Sequence, residues 1–225
     1  MNARGDGAEG LVLDALRVSL GGQAIVDIAA GIDPGDILTV MGPSGSGKST
    51  LLAAITGTLT PAFATKGRIL LDGADITALP THRRGIGLMM QDDVLFPHFS
   101  VGANLAFGLS AMVKGRAARR ARVEEALASA GLEGMADRDP ATLSGGQRSR
   151  VALMRALLAA PRAILLDEPF SKLDSGLRAQ IRAFTFGRIR AAHLPAILVT
   201  HDAEDAAAAG GAIMAPRPGT EGGHD

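Results

Sequence analysis

GPSGSGKS, residues 42–49, meets every position of the pattern G-x-x-x-x-G-K-[ST]. The chemistry such a spacing serves is phosphate binding. Glycines let the backbone curl until successive N–H groups face one cavity, and a helix opening at Lys48 adds the partial positive charge of its N-terminus. Within Gly42, Pro43, Ser44, Gly45, Ser46, Gly47, Lys48, Ser49 and Thr50, Lys48 supplies a cation for the β- and γ-phosphates of a nucleotide, and Ser49 offers a hydroxyl to Mg2+. AILLDEP (163–169) ends a greasy run with two carboxylates. In an open α/β sheet, ligands gather beyond the carboxyl ends of the strands. Asp167 is therefore a candidate for the Mg2+ shell, and Glu168 for the base that takes a proton from an attacking water.

Leu143-Ser-Gly-Gly-Gln147 stands directly before a helical pattern. Ser144 is a good N-cap by itself. Together with Gly145, Gly146 and Gln147 it also makes an anion nest at a helix N-terminus. One nucleotide can use two such phosphate sites only if two copies of the chain meet face to face. The expected assembly is a symmetric head-to-tail dimer, with two ATP molecules held between the glycine loop of one copy and LSGGQ of the other.

GPSGSGKST, LSGGQ, ILLDEP, SKLD and VTHD, in this order, resemble the ATP-binding subunit of an ABC transporter, over about residues 11–214. The resemblance implies ATP hydrolysis, with ATP and Mg2+ bound. It also implies roles at matching positions. Gln91 would touch Mg2+ or the attacking water, Asp174 would cross the dimer seam, and His201 would contact the γ-phosphate and orient the attack. The implied partners are a second copy of the chain, integral membrane permease subunits and, indirectly, a solute-binding protein. The implied location is peripheral, on the cytoplasmic face of the inner membrane. LFPHFSV (95–101) is similar to importer subunits for small solutes such as molybdate, sulfate, iron or thiamine, so uptake is the expected direction. An exporter ATPase and a DNA-associated ATPase with the same head are the alternatives. A small-molecule kinase would use the glycine loop but has no task for LSGGQ or SKLD.

The elements that must hold these groups read as α/β. Residues 12–20 and 24–32 are β-compatible runs around a Gly21-Gly22 turn. ILTVM (37–41), GIGLMM (85–90), AILLD (163–167) and AILVT (196–200) are unbroken apolar runs, as expected of strands buried on both faces. GRILLDG (67–73) reads as a strand closed by Asp72-Gly73. Helices are expected near 48–56, after Ser144 and near 177–192. Strands alternating with helices imply a mostly parallel sheet with flanking helices, here with an N-terminal antiparallel β subdomain. The expected organisation is one ATPase domain. Residues 11–90 and 153–214 form its nucleotide-binding core, about 92–152 a helical insert, and 215–225 a flexible tail.

Net charge is zero, which gives no bulk attraction for a polyanion, and no nucleic-acid partner is expected. Cysteine is absent, which excludes disulfides and thiolate metal sites. No run approaches the ~18–20 apolar residues of a membrane span. Residues 91–109 are apolar for a segment beside a catalytic loop. Phe96, Phe99 and Phe107 there form either a cleft for a partner's coupling helix or the small core of the insert. Residues 114–127 read as a solvated amphipathic helix, with an anionic lipid contact as the alternative. Two departures from the family stand out. Leu20 sits near the place where such subunits stack an aromatic on adenine, so weaker ATP affinity or weaker adenine preference is expected. The chain also ends soon after its last core strand, where longer importer subunits carry a regulatory domain, so no such sensing module is expected.

Overall fold

The computed structural model describes residues 9–92 and 95–216, so most of the expected tail lies outside the described residues. In chain order the elements are β1 (Leu11–Leu20), β2 (Gln23–Ile32), β3 (Ile37–Met41), α1 (Lys48–Thr56), β4 (Phe63–Leu71), β5 (Ala74–Asp75), β6 (Ile86–Met89), α2 (Val101–Gly108), α3 (Arg116–Ser129), α4 (Gly145–Leu158), β7 (Ala163–Asp167), α5 (Ser175–Ala191), β8 (Ala196–Thr200), α6 (Ala203–Ala209) and β9 (Ile213–Met214). One sheet is antiparallel, in the order β2-β1-β4-β5. The other has five strands in the order β6-β7-β8-β3-β9, with β7, β8, β3 and β9 parallel. The α/β class with an antiparallel β subdomain is thus observed. The described chain forms two compact units. The first runs up to Ile86 and adds Arg162–Asp167 and the residues from Arg188 on; the second comprises Gly87–Pro161 and Glu168–Gly187.

In the first unit, β3, β7 and β8 are buried along nearly their whole length. That is why they carry no polar alternation: both faces are covered. Their side chains merge with those of β1, β2, β4 and α1 into one core that includes Leu16, Val26, Leu51, Ile55, Ile69, Leu165 and Val199. β4 starts four residues earlier than the expected run. Gly67 (φ +86) sits mid-strand opposite a bulge at Ala15 (φ +45), and a Cβ at Gly67 would lie 2.3 Å from the Ala15 carbonyl oxygen. The glycine read as a strand start is a bulge partner, so the strand continues through it. β6 also departs from expectation. It lies at an edge of its sheet, only Met89 of its four residues is buried, and neighbouring Leu88 is exposed. α6 and β9, seven and two residues long, were too short to show a period.

Arg84 is buried, and its guanidinium meets only backbone carbonyls. It donates to Ala54 O and Ile55 O at the C-terminal end of α1 (2.8 and 3.0 Å), and to Leu79 O and Thr77 O (2.7 and 2.6 Å). Burial lowers its pKa from the ordinary guanidinium value. The cation completes the negative end of the helix whose other end is the glycine loop. Gly57 makes room for it, since a Cβ there would lie 2.5 Å from Arg84 Nε. Arg84→Ala removes four hydrogen bonds to backbone carbonyls, with Ala54 O keeping a second donor in Gly57 N, and is expected to cost about 3 kcal/mol. Thermal melts should show a Tm lower by about 6–12 °C.

In the second unit, α2, α3 and α4 bury Val101, Leu105, Leu109, Val123, Leu127, Val151 and Met154 against one another. Phe170 and Phe186 add a T-shaped pair with centroids 5.6 Å apart. Ser100 caps α2 by accepting from Ala103 N, and Ser144 caps α4 by accepting from Gln147 N.

Candidate nucleotide site

The glycine loop runs from the end of β3 into α1. Gly45 (φ +82) and Gly47 (φ +90) take left-handed conformations that fold the loop back on itself. Gly47 also passes close to β2: a Cβ there would lie 2.8 Å from Ile25 O. Ile25 is the extra residue of a β-bulge, because Val18 pairs with Val26 while Ser19 pairs with Ala24. Lys48 is almost buried, and its ammonium donates to Gly42 O and Pro43 O at 2.7 and 2.8 Å. The long side chain therefore curls back along the inside of its own loop. Pro43, Ser44, Gly45 and Ser49 are exposed.

Two observations fit this loop to a phosphate chain. α1 begins at Gly47 with no side-chain cap, as α3 does at Gly115, whereas Ser100, Ser144 and Asp202 each cap the first turn of their helices. The first-turn amides of α1 are left for another acceptor. In addition, the Ser46 hydroxyl oxygen is buried and has no hydrogen-bond partner among the described residues. A buried polar group of that kind costs free energy unless a ligand meets it.

Two other site residues stand at the ends of neighbouring strands of the same unit. β8 pairs with β3 so that Thr200 faces Met41, and β7 pairs with β8 so that Asp167 faces Val199. Gly42, Asp167 and His201 therefore leave the sheet side by side, at the carboxyl ends of three adjacent parallel strands. The turn that carries His201 is fixed from below. Thr200 Oγ1 accepts from Asp202 N (3.0 Å) and bonds to the buried Asp205 carboxylate (3.2 Å), while Asp202 Oδ1 caps α6 by accepting from Glu204 N at 2.8 Å. The sequence reading missed Asp205. Its signal was an acidic residue one turn after the strand, in THDAED.

Glu168 follows Asp167 with φ +44, a left-handed conformation that costs a non-glycine residue roughly 1 kcal/mol or more. Its carbonyl accepts from Ser171 N and Ser171 Oγ (3.3 and 3.0 Å). In the second unit, Gln91 is exposed just beyond β6. It shares a cavity of about 490 Å3 with Gly145, Arg148, Pro169 and Lys172. Across this cavity Lys172 forms an ion pair with Asp92. Ser144 and Gln147 form a reciprocal capping box: Gln147 Oε1 accepts from Ser144 N at 2.9 Å, and Ser144 Oγ from Gln147 N at 3.3 Å. The box leaves the first-turn amides of Gly145 and Gly146 unused. Asp174 caps α5 by accepting from Leu177 N at 3.0 Å.

The apolar segment after Gln91 is core only in part. Val101, Leu105 and Leu109 are core, while Phe107 is 65% exposed and stacks edge-on with Phe96 at 4.7 Å. Asn104, fully buried, holds the loop in place. Its Oδ1 accepts from Phe96 N (2.8 Å), and its Nδ2 donates to Phe96 O (3.1 Å) and Ser100 O (3.1 Å). This residue was also missed; a polar side chain among the apolar positions of α2 was its only signal.

A glycine-rich loop joining a buried parallel strand to an uncapped helix, with an acidic strand end beside it, defines a P-loop nucleotide-binding protein. Residues 25–171 match the ABC transporter family. The chain is 53% identical over 174 residues to the ABC transporter ATP-binding protein YnjD of Escherichia coli (strain K12), itself uncharacterized, covering 77% of this chain and 80% of that one. It is 44% identical over 214 residues to the Fe(3+) ions import ATP-binding protein FbpC of Streptomyces coelicolor, covering 93% of this chain and 60% of that one. To FbpC of Rhizobium etli it is 42% identical over 205 residues, covering 91% and 57%. The chain thus spans less than two thirds, about 57–60%, of the length of these import proteins. It belongs to the ABC transporter family, as an ATP-binding chain of the ATPase class. Among the described residues no helix is long and apolar enough to cross a membrane.

Proposed function

We propose that the chain hydrolyses ATP to power uptake of a small solute through membrane permease subunits, which a solute-binding protein supplies. The single observation that carries this reading is the open phosphate cradle, an uncapped α1 and an unpartnered Ser46 hydroxyl, at the strand ends that also bear Asp167 and His201. The import names of relatives matching 91–93% of this chain support the direction of transport.

The amides of Gly45 to Ser49 and the Lys48 ammonium receive the β- and γ-phosphates. Lys48 exchanges its two loop carbonyls for phosphate oxygens, a charge-assisted gain. Mg2+, when bound, would supply positive charge to offset that of the phosphate chain. Ser49 and Asp167, both in the first unit, are the residues that would hold the cation, and Gln91 is added on the resemblance alone. Among the described residues no cluster of acids and histidines makes a metal site alone. Glu168 takes the proton of the attacking water, and His201 steadies the γ-phosphate. Ser144, Gly145, Gly146 and Gln147 of a second copy complete the γ-phosphate shell, with Asp174 at the seam. Closure is then a population shift, driven by tighter ATP binding in the closed dimer. The chain would sit on the cytoplasmic face of the membrane through its permease partners.

The test is ATP turnover of the purified chain, alone and with its permease subunits in vesicles. The proposal expects turnover that rises with the permease and solute uptake that requires ATP. Absence of turnover in both preparations contradicts it.

A further inference from the structure

The phosphate loop leaves open what holds the base. Position 20 is leucine, and the whole chain contains neither tryptophan nor tyrosine. Strand register supplies an aromatic elsewhere. Leu20, the last residue of β1, pairs with Gln23 of β2 on one side and with Phe63, the first residue of β4, on the other. Side chains of directly paired residues share a sheet face. That face is the core face. Leu16 and Val18, in step with Leu20, are fully buried, and Phe63 packs against the core cluster. At Leu20 the core face runs out into solvent, with that leucine 42% exposed and Phe63 only partly buried.

This apolar ledge lies beside the phosphate loop. The bulge residue Ile25, whose carbonyl Gly47 approaches, is two residues from Gln23 along β2. With ~3.4 Å per residue and ~4.8 Å between strands, the Leu20 backbone is about 8 Å from Ile25 and that of Phe63 about 12 Å. A nucleotide whose β- and γ-phosphates occupy the loop extends its ribose and base over such a span.

We infer that Phe63, with Leu20 beside it, is the platform on which the nucleotide base stacks. The longer β4, running past Gly67 to Phe63, brings the ring next to the position where β1 itself offers none. The contact is made to the face of a ring, which every purine presents, so it contributes affinity without selecting among bases.

The inference rests on the proposed nucleotide site, and the test separates the two. Calorimetry compares ATP, GTP and inorganic tripolyphosphate on the wild type and on Phe63→Ala. ATP and GTP affinity should both fall roughly 5- to 100-fold, the range of one base–aromatic stack. Tripolyphosphate affinity should not change, which also shows an intact loop. Phe63→Trp provides a lone indole in this chain. Its emission should respond to ATP and stay constant with tripolyphosphate, and its ATP affinity should match or exceed the wild type. Unchanged ATP affinity in Phe63→Ala, a parallel fall for ATP and tripolyphosphate, or a silent indole overturns the inference. A wild type that binds none of the three ligands overturns the nucleotide site itself.

Discussion

Glu168→Gln is expected to lower ATP turnover by about 10²- to 10⁴-fold while leaving ATP affinity unchanged, the range that removal of a general base commands. The substitution keeps shape and volume and removes only the ability to accept a proton. Backbone geometry points the same way. Glu168 stands at φ +44, directly after the strand end that carries Asp167, where glycine would be the unstrained choice. A chain that holds glutamate in that conformation stores strain where chemistry is proposed. Glu168→Gly should therefore relieve it, raising stability by about 1 kcal/mol while abolishing turnover. Turnover assays and denaturant midpoints on the two variants check both halves. Wild-type turnover in Glu168→Gln would remove the assignment.

Lys48→Ala is expected to weaken ATP binding about 100-fold, through loss of charge-assisted contacts worth roughly 1.5–3 kcal/mol each. Its side chain already lies inside the loop, bonded to Gly42 O and Pro43 O. Removing it leaves Gly42 O without that donor, while Pro43 O still accepts from Ser46 N. Calorimetric titration reads the loss directly. Thermal melts without nucleotide should shift much less than those with ATP, because ligand-linked stability scales with affinity.

What could be read ahead of the structure follows from where side chains answer to local rules. ILTVM, AILLD and AILVT were legible as strands to the residue, since full burial demands unbroken apolar runs and the glycine, acid or histidine that follows ends them. The glycine loop was legible because its spacing serves one purpose. Ser144 was ambiguous and stays double-natured: the capping box that the S-x-x-Q spacing forms uses the hydroxyl on its own helix. A bound phosphate would have to share it. Non-local packing was not legible. Arg84 lies in the charged run THRRG, where nothing local announces that its guanidinium bonds to the carbonyls of α1. Phe63 sits 43 positions after Leu20, and only the register of β1 with β4 brings them together. Gly67 punctuated the sequence as a strand start because nothing local announces the bulge at Ala15.

The central claim is that the γ-phosphate joins two copies of the chain, the glycine loop of one to Ser144–Gln147 of the other. Its most direct measurement is the mass of Glu168→Gln in solution, by sedimentation, with and without Mg-ATP. The account predicts a monomer that doubles its mass with ATP, not with ADP, and that fails to do so once Ser144→Arg fills the nest. A mass indifferent to ATP, or a doubling that survives Ser144→Arg, would contradict it.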